Sequence, residues 1–312
     1  MRRIFSAFLL AAACFAAGLF AAGAAPRAAA APEPAADPWQ KVGDGKHLGI
    51  SGAALVGQEG DVKRFLCVHD GKKPGRPRVT LVTLDADGRI TSNALLAWPA
   101  GREEPVDLEA ASAIPGKPGH ALLLASGGRL VHVEVVSGRG VGDSLEVRRV
   151  VDLPPAPTDY EGLSVERVGG RLVAALAARG GGATPARIEV GEFDPETDRI
   201  AVRATAEFTA PYPDPKDPNT RHAGDVKLVP LGILWVSATN DPGDAGPFRS
   251  AVYAAGLVRV EGDRIRFEAN PALAPLWAFS RKVEAIEVVP GAAGGVLFGA
   301  DDEDLGGWIR FR

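Results

Sequence analysis

The chain contains very little cysteine, which excludes a disulfide framework as a source of its stability. Only Cys14 and Cys67 occur among 312 residues. Cys14 lies in an N-terminal segment that resembles a signal peptide, so the mature chain would keep a single cysteine and form no intrachain disulfide. Cys67 lies in the apolar run 65–68. That position indicates a buried small hydrophobic residue rather than a nucleophile.

The sequence also lacks a basic excess and the common catalytic motifs. It carries 35 Lys and Arg against 39 Asp and Glu, and no basic run stands out. Nucleic acid is therefore not an expected partner. No Gly-x-Ser-x-Gly elbow, His-Glu-x-x-His pair or phosphate-binding Gly-Lys-Ser/Thr loop occurs. The motifs alone therefore leave open whether the protein is an enzyme.

The N-terminus predicts export. Arg2 and Arg3 precede an apolar segment over 4–20, and small residues follow at 22–24. We predict a signal peptide over 1–24, an Ala/Pro-rich leader over 25–37, and one domain over 38–312 in the periplasm or outside the cell. An uncleaved anchor is the alternative, but the apolar run is short and Ala-rich. No integral membrane segment is expected after cleavage, and a monomer is expected.

Long segments with helical periodicity are absent after Trp39. Short runs of β-type residues recur instead, bounded by Gly, Pro, Asp or Asn, in groups of four strands. Such a repeat is typical of a β-propeller. The fifth group has three strands before the chain ends, and the segment 39–42 supplies the fourth. We predict an all-β, five-bladed β-propeller closed by an N-terminal strand. A six-bladed ring and two packed sandwiches are the alternatives.

An acidic residue recurs where each blade begins. We align Ser51, Glu109, Glu161, Asp225 and Glu284 at this position. The first strand of a blade lines the channel, and its start meets the end of the second strand on one face. The predicted ligand-binding residues on this face are Glu109, Glu161, Arg179, His222, Asp225, Asn240, Glu284 and Asp301. A structural alternative is that the repeated glutamates accept backbone hydrogen bonds and fix the blade spacing.

Carboxylate and amide oxygens with little opposing charge suit a hard divalent cation such as Ca²⁺. The candidate metal ligands are Asp70, Glu161, Asp225, Asp241, Glu284 and Asp302. Arg179 and His222 supply positive groups for an anion or a substrate phosphate.

The run Asp159-Tyr160-Glu161-Gly162-Leu163 resembles a "D-x-E-G-L" strand of a bacterial exported domain of unknown function. That family belongs with the phytase-like and SdiA-regulated-type propellers. Its second strand ends in "G-L-R-G", whereas two alanines precede Arg179 here. The resemblance implies a propeller, export, and a metal-dependent phosphoesterase-like activity.

Two functional hypotheses follow. The first is an exported propeller that binds a ligand, ion or partner, either a small molecule or a protein, on an acidic channel face. The second is a metal-dependent, phytase-like phosphoesterase or esterase.

Overall fold

The computed structural model describes residues 39–138, 142–154, 159–292 and 294–312. These residues form five antiparallel sheets that follow one another along the chain. Their only helical elements are three short 3-10 turns at Lys46–Leu48, Pro230–Gly232 and Glu303–Leu305. The prediction of an all-β, five-bladed propeller is therefore confirmed. The predicted signal peptide and the leader lie outside the described residues.

The strands are numbered in chain order. The first two blades and the closing strand are formed by β1 (Gln40–Gly43), β2 (Gly52–Glu59), β3 (Val62–Val68), β4 (Val79–Leu84), β5 (Ile90–Leu96), β6 (Leu108–Ala113), β7 (His120–Ala125), β8 (Arg129–Gly138) and β9 (Gly142–Asp152). The other three are formed by β10 (Tyr160–Val168), β11 (Arg171–Ala178), β12 (Ala186–Asp194), β13 (Arg199–Phe208), β14 (Thr220–Leu228), β15 (Ile233–Asn240), β16 (Arg249–Glu261), β17 (Arg264–Ala269), β18 (Pro275–Phe279), β19 (Val283–Val289), β20 (Gly295–Asp301) and β21 (Gly307–Phe311).

The N-terminal strand closes the ring, as predicted. Strand β1 pairs antiparallel with β21, and the fifth sheet has the order β1-β21-β20-β19. The side chain of Gln40 also reaches the first blade. Its Nε2 donates to the carbonyl of Gly88 over 2.7 Å, and its Oε1 accepts from the backbone N–H of Ile90 over 2.8 Å. The last blade is thereby joined to the first through both backbone and side-chain hydrogen bonds.

Strand β18 was not predicted. The segment 271–280, which contains it, is largely apolar. In the structure, Ser250 and Ala251 at the start of β16 pair with Phe279 and Ala278. Strand β17 covers only the second half of β16, so β18 covers an edge that would otherwise be open. Trp277 packs edge-on against Phe298 with ring centroids 5.2 Å apart.

The inner strands β2, β6, β10, β14 and β19 contact one another in sequence around the channel. Side chains on four of them accept hydrogen bonds from backbone N–H groups of the next inner strand. The acceptor–donor pairs are Ser112–Val165 at 2.8 Å, Ser164–Leu228 at 2.9 Å, Asp225–Ile286 at 2.7 Å and Glu287–Leu55 at 3.3 Å. These bonds link four of the five pairs of neighbouring blades.

Apolar residues fill the spaces between the blades. Val226, Leu228 and Ala175 belong to a cluster that joins the third and fourth blades. Cys67 is fully buried, as expected, and burial raises the pKa of its thiol to about 12. Within the ranges described, no helix is long and apolar enough to cross a membrane.

Candidate functional site

Three glutamates occupy the same local structure in three blades. Glu109, Glu161 and Glu284 each lie where the pairing of the first and second strands slips by one residue. In the third blade, for example, Tyr160 pairs with Ala178 but Gly162 pairs with Ala177. The second and fifth blades show the same slip. Each glutamate is therefore the extra residue of a β-bulge, a feature that re-aims a side chain.

Asp225 is not the fourth member of this set. The bond from Ser112 reaches Val165, four residues after Glu161, while the equivalent bond from Ser164 reaches Leu228. Gly224 therefore occupies, in the fourth blade, the position that the glutamates occupy in the second, third and fifth blades. The alignment at Asp225 was wrong by one residue. Since adjacent residues of a strand point to opposite sides, this slip reverses the direction of the side chain.

Asp225 instead joins two blades. Its Oδ1 accepts from the backbone N–H of Val226 and its Oδ2 from that of Ile286, both over 2.7 Å. Burial raises the pKa of this carboxyl well above its usual value, and the two backbone donors oppose the rise. The blade-spacing role considered for the glutamates thus belongs to Asp225.

The three bulge glutamates, called the ring of glutamates below, have strongly raised pKa values. Glu161 and Glu284 are 2% and 3% exposed. Burial raises the pKa of Glu161 to about 7 and that of Glu284 to about 8. For Glu109, burial and then the charges of Glu161 and Asp107 raise the pKa well above its usual range. The three carboxyls interact across the channel, so an incoming group could change their protonation.

The starts of the first strands meet the ends of the second strands in four blades, as predicted. The contacting pairs are Asp107–Ser126, Asp159–Arg179, Arg221–Asp241 and Lys282–Asp301. They form a rim around the ring of glutamates. Arg179 Nε also lies 3.2 Å from Glu161 Oε1, which places this predicted residue in the site.

Lys282 is the centre of the acidic part of the rim. Its side chain is 3% exposed, and its ammonium is surrounded by four carboxylates. The distances from Nζ are 3.4 Å to Asp241, 3.5 Å to Glu284, 3.5 Å to Asp301 and 2.6 Å to Glu303. Burial disfavours the ammonium, but the carboxylates outweigh it and raise the pKa of Lys282 well above its usual value. The pKa of Asp241 is lowered because Lys282 and Arg221 outweigh its own burial.

Two predicted residues are engaged elsewhere. His222 Nδ1 accepts from the backbone N–H of Ala210 at 3.3 Å, and its Nε2 donates to the carbonyl of Gly182 at 2.8 Å. Asn240 donates to Asp217 at 2.9 Å. His222 therefore anchors backbone instead of offering a free positive group.

The other predicted acids line the same rim. Burial, followed by the charges of Asp301 and Glu303, raises the pKa of Asp70 to about 6. Asp302 pairs with Arg281 and accepts from the backbone N–H of Lys282 at 2.9 Å. Across the ranges described, no group of three or more His, Cys, Asp or Glu side chains is arranged to hold a metal ion. The calcium site stays a prediction.

The sequence analysis missed Lys282 and Arg221 as site residues. Lys282 stands two residues before Glu284, at the blade position that Asp107 and Asp159 hold before Glu109 and Glu161. That change from acid to base within a repeat was the available signal. Arg221 carried no comparable signal, because its blade has glycine in place of the glutamate.

No family model matches the chain, and no curated protein matches its sequence. Similar solved structures include Xyloglucan PUL GH43B of Bacteroides ovatus, with 11% identity over 88% of this chain and a TM-score of 0.45. This chain covers 53% of that protein. The GH43 endo-arabinanase from Bacillus licheniformis shows 8% identity, a TM-score of 0.44, and coverage of 86% and 94%.

A further similar structure is an exo-1,5-alpha-L-arabinanase from a bovine ruminal metagenomic library. It shows 10% identity, a TM-score of 0.43, and coverage of 85% of this chain and 92% of its own. These likenesses carry no argument about activity. The blade count rests on the strand pairing, and the relationship to phytase-like propellers stays a prediction.

Proposed function

We propose that the protein is an exported, non-catalytic propeller that binds a small ligand at the acidic end of its channel. The observation that carries the proposal is the ring of bulge glutamates, one from each of three blades, beside the ammonium of Lys282. Buried carboxyls with strongly raised pKa values are typical of functional sites, because such an arrangement costs stability unless a ligand compensates it.

A ligand screen by thermal shift tests this proposal on the mature chain. A ligand of the channel should raise the melting temperature, since it binds only the folded state. Glu161→Gln and Glu284→Gln should reduce the shift for the same compound. Glu207→Gln, on the exposed face of the outer strand β13, is the matched control and should leave the shift unchanged. A screen whose ligands respond equally to all three variants would contradict the proposed site.

Export is part of the proposal and has its own test. The full chain should be found in the periplasm or the medium of a bacterial host. A chain without residues 1–24 should remain in the cytoplasm. Retention of both forms in the cytoplasm would contradict export.

Hydrolysis is the second candidate function. Glu284, with a pKa near 8, and Asp241, with a lowered pKa, both face the ammonium of Lys282. Carboxyls whose pKa values are pushed apart suit general acid and general base roles. A phosphate substrate is less favoured, because Arg179 is paired with Asp159 and His222 is bound to backbone.

The hydrolase hypothesis is tested with phosphate monoesters and carboxylic esters, with and without Ca²⁺. Turnover that Glu284→Gln abolishes and Glu207→Gln leaves intact would support the enzyme. Turnover that survives Glu284→Gln would exclude this acid–base pair.

A further inference from the structure

A pair of histidines lies between the second and third blades, away from the rim. His120 begins β7, and the other end of this strand leads to the rim residue Ser126. His120 Nδ1 and His132 Nε2 are 3.0 Å apart, and the two rings meet edge to face. The side chain of His132 is buried, whereas that of His120 is 24% exposed. Solvent therefore reaches one side of the pair.

The alternation of β8 brings the two histidines together. Val131 and Val133 belong to the apolar cluster shared with the first blade, so the residues that alternate with them face the other way. His132 and Glu134 thus point toward the third blade. Glu134 lies directly opposite His120 in the pairing of β7 with β8. Two imidazoles and a carboxylate consequently share one face of the second blade.

Each ring has a carboxylate on its far side. His132 Nδ1 donates to Asp198 Oδ2 over 2.9 Å, and Arg149 donates to the same oxygen over 2.8 Å. His120 Nε2 lies 3.5 Å from Glu134 Oε2. Metal-binding histidines usually have such an outer group on their second ring nitrogen, because it orients the ring. The two rings show this arrangement twice.

Two neutral rings carry too few protons for their three contacts. A carboxylate only accepts, so the proton of His132 lies on Nδ1 toward Asp198, and its Nε2 presents a lone pair to His120. A proton on Nδ1 of His120 fills the contact between the rings but leaves a lone pair facing Glu134. A proton on Nε2 leaves two lone pairs facing each other. A cation between the rings resolves that second case and satisfies all three contacts.

We propose that His120 Nδ1 and His132 Nε2 together bind one divalent metal ion of the kind that imidazole prefers, such as Zn²⁺. Nitrogen ligands lie about 2.0–2.1 Å from Zn²⁺, so two of them are about 2.9–3.4 Å apart at bond angles of roughly 90–109°. The observed separation of 3.0 Å falls in this range. Water on the exposed side of His120 completes the coordination. The site is independent of the proposed ligand-binding function at the rim.

The donor chemistry selects such a metal over Ca²⁺. Imidazole suits Zn²⁺, Cu²⁺ and Ni²⁺, whereas Ca²⁺ takes oxygen ligands. Glu134 and Asp198 are held by Arg148 and Arg149, so they orient the rings and are not further ligands. A site with two ligand residues agrees with the lack of any metal-binding group of three within the described ranges. Burial lowers the pKa of His120, so its ring is neutral at pH 7, as a ligand must be.

A metal ion at this pair strengthens the contact between the second and third blades. Asp198 ends the turn between β12 and β13, is 1% exposed, and contacts the second blade through His132 and Arg149. A metal ion bound to His132 fixes the ring that holds this turn. Because the ion binds only the folded arrangement, Zn²⁺ should raise the melting temperature.

Calorimetric titration of the mature chain, without a polyhistidine tag, tests the inference with Zn²⁺ as the probe and Ca²⁺ as the control. We expect one Zn²⁺ per chain to bind at least about tenfold more tightly than Ca²⁺ at this site. Glu284→Gln, which changes the rim, should leave the Zn²⁺ affinity unchanged. His120→Gln should weaken Zn²⁺ binding at least about tenfold, and Asp198→Asn should weaken it by about tenfold, because the ring of His132 loses its outer carboxylate.

His47→Gln is the matched control, because it removes an imidazole of the first 3-10 turn and should not change the affinity. Nitrogen-15 NMR of the unaltered chain gives a measurement that does not depend on the folding of any variant. Of the five histidines, His120 and His132 should show shifted ring nitrogen signals when Zn²⁺ is added, and the other three should not.

Equal Zn²⁺ binding by the unaltered chain and His120→Gln, or unshifted ring signals of both His120 and His132, would overturn the metal site. The pair would then be a hydrogen bond within the protein. A loss of affinity in His47→Gln as large as that in His120→Gln would also overturn it, since Zn²⁺ would then bind histidines without regard to this geometry.

Discussion

Asp225 accepts a 2.7 Å hydrogen bond from the backbone N–H of Ile286, which lies on the inner strand of the next blade. The same carboxylate accepts from Val226, so a single buried side chain orders its own strand and positions the neighbouring one. Ser112 and Ser164 perform the second task in other blades with one hydroxyl each. Blade-to-blade spacing is thus set partly by polar side chains inside an apolar core.

Asp225→Ala should strongly destabilise the protein. The change leaves two buried backbone N–H groups without partners, and each unsatisfied buried donor costs about 1–3 kcal/mol. We expect a loss of about 3–5 kcal/mol in the free energy of unfolding, measured by urea denaturation. Asp263→Ala is the control, since Asp263 is 98% exposed and pairs with Arg171 at the surface. Equal stability of the two variants would contradict the structural role of Asp225.

The fold could be predicted from the sequence because the strands and turns have local sequence signals. The last group of strands also lacked a fourth strand, which pointed to closure by the N-terminal segment. Strand β18 could not be predicted, because Pro275 and the apolar residues after it do not alternate, and its position depends on the part of β16 that β17 does not pair with. The start of β14 at Thr220, directly after a proline-rich stretch, likewise depends on the pairing of Thr220 with Asn240. In both cases the pairing partner, more than the local sequence, decides the structure.

The site was accessible only in part. Glu109, Glu161 and Glu284 could be found because the blade repeat fixes their position. Gly224 could not, because the acidic Asp225 follows it directly and the correct register depends on a hydrogen bond between blades. His222 looked like a free positive group, yet its ring is fully buried and bound to backbone. Sequence spacing identifies a face but not the partner of each side chain.

Lys282→Met should be among the most destabilising changes in the rim. Removing the ammonium leaves Asp241, Glu284, Asp301 and Glu303 close together without their common counter-charge. Breaking a buried ion pair from one side costs about 3–5 kcal/mol. The loss should be smaller at pH 5 than at pH 8, because protonation relieves the repulsion between the carboxylates.

Melting temperatures of the Lys282→Met variant across this pH range check the prediction. Added Ca²⁺ should partly restore the variant, because a divalent cation can replace the missing charge. Lys46→Met provides the control, since Lys46 is exposed and pairs with Asp244 at the surface. If the variant loses the same stability at both pH values, repulsion among the carboxylates is not the cause.

The glutamates of the channel predict a stability that falls as the pH rises. The pKa of Glu161 is about 7 in the folded protein against a usual value of 4.5, and that of Glu284 is about 8. At a pH above 4.5 but below its folded-state pKa, each glutamate keeps a proton in the folded protein that the unfolded chain has released. Stability therefore decreases from about pH 5 to pH 8. His69 acts in the opposite direction, because burial lowers its pKa to about 4 and stability falls below about pH 6.5.

Glu161→Gln should therefore stabilise the protein at pH 8.5 by about 2–3 kcal/mol and flatten the alkaline part of the profile. Chemical denaturation at pH 5, 7 and 8.5 measures the effect. Glu207→Gln, which changes an exposed carboxylate of the same blade, should leave the profile as it is. An unchanged slope in Glu161→Gln would show that this carboxyl titrates near its usual value.

Removing the closing strand should weaken the ring and expose an edge. A chain of residues 44–312 lacks β1, so β21 loses its pairing with Gln40 and Lys41, and the first blade loses the bonds to Gln40. Compared with a chain of residues 39–312, we expect a melting temperature lower by about 10 °C, which corresponds to a few kcal/mol for a domain of this size. Because an open edge strand can pair with another molecule, the shorter chain should also self-associate in size-exclusion chromatography. Gln40→Ala in the longer chain should lower the melting temperature less and should not increase self-association. Equal melting and equal elution of the two chains would mean that β1 does not contribute to closure.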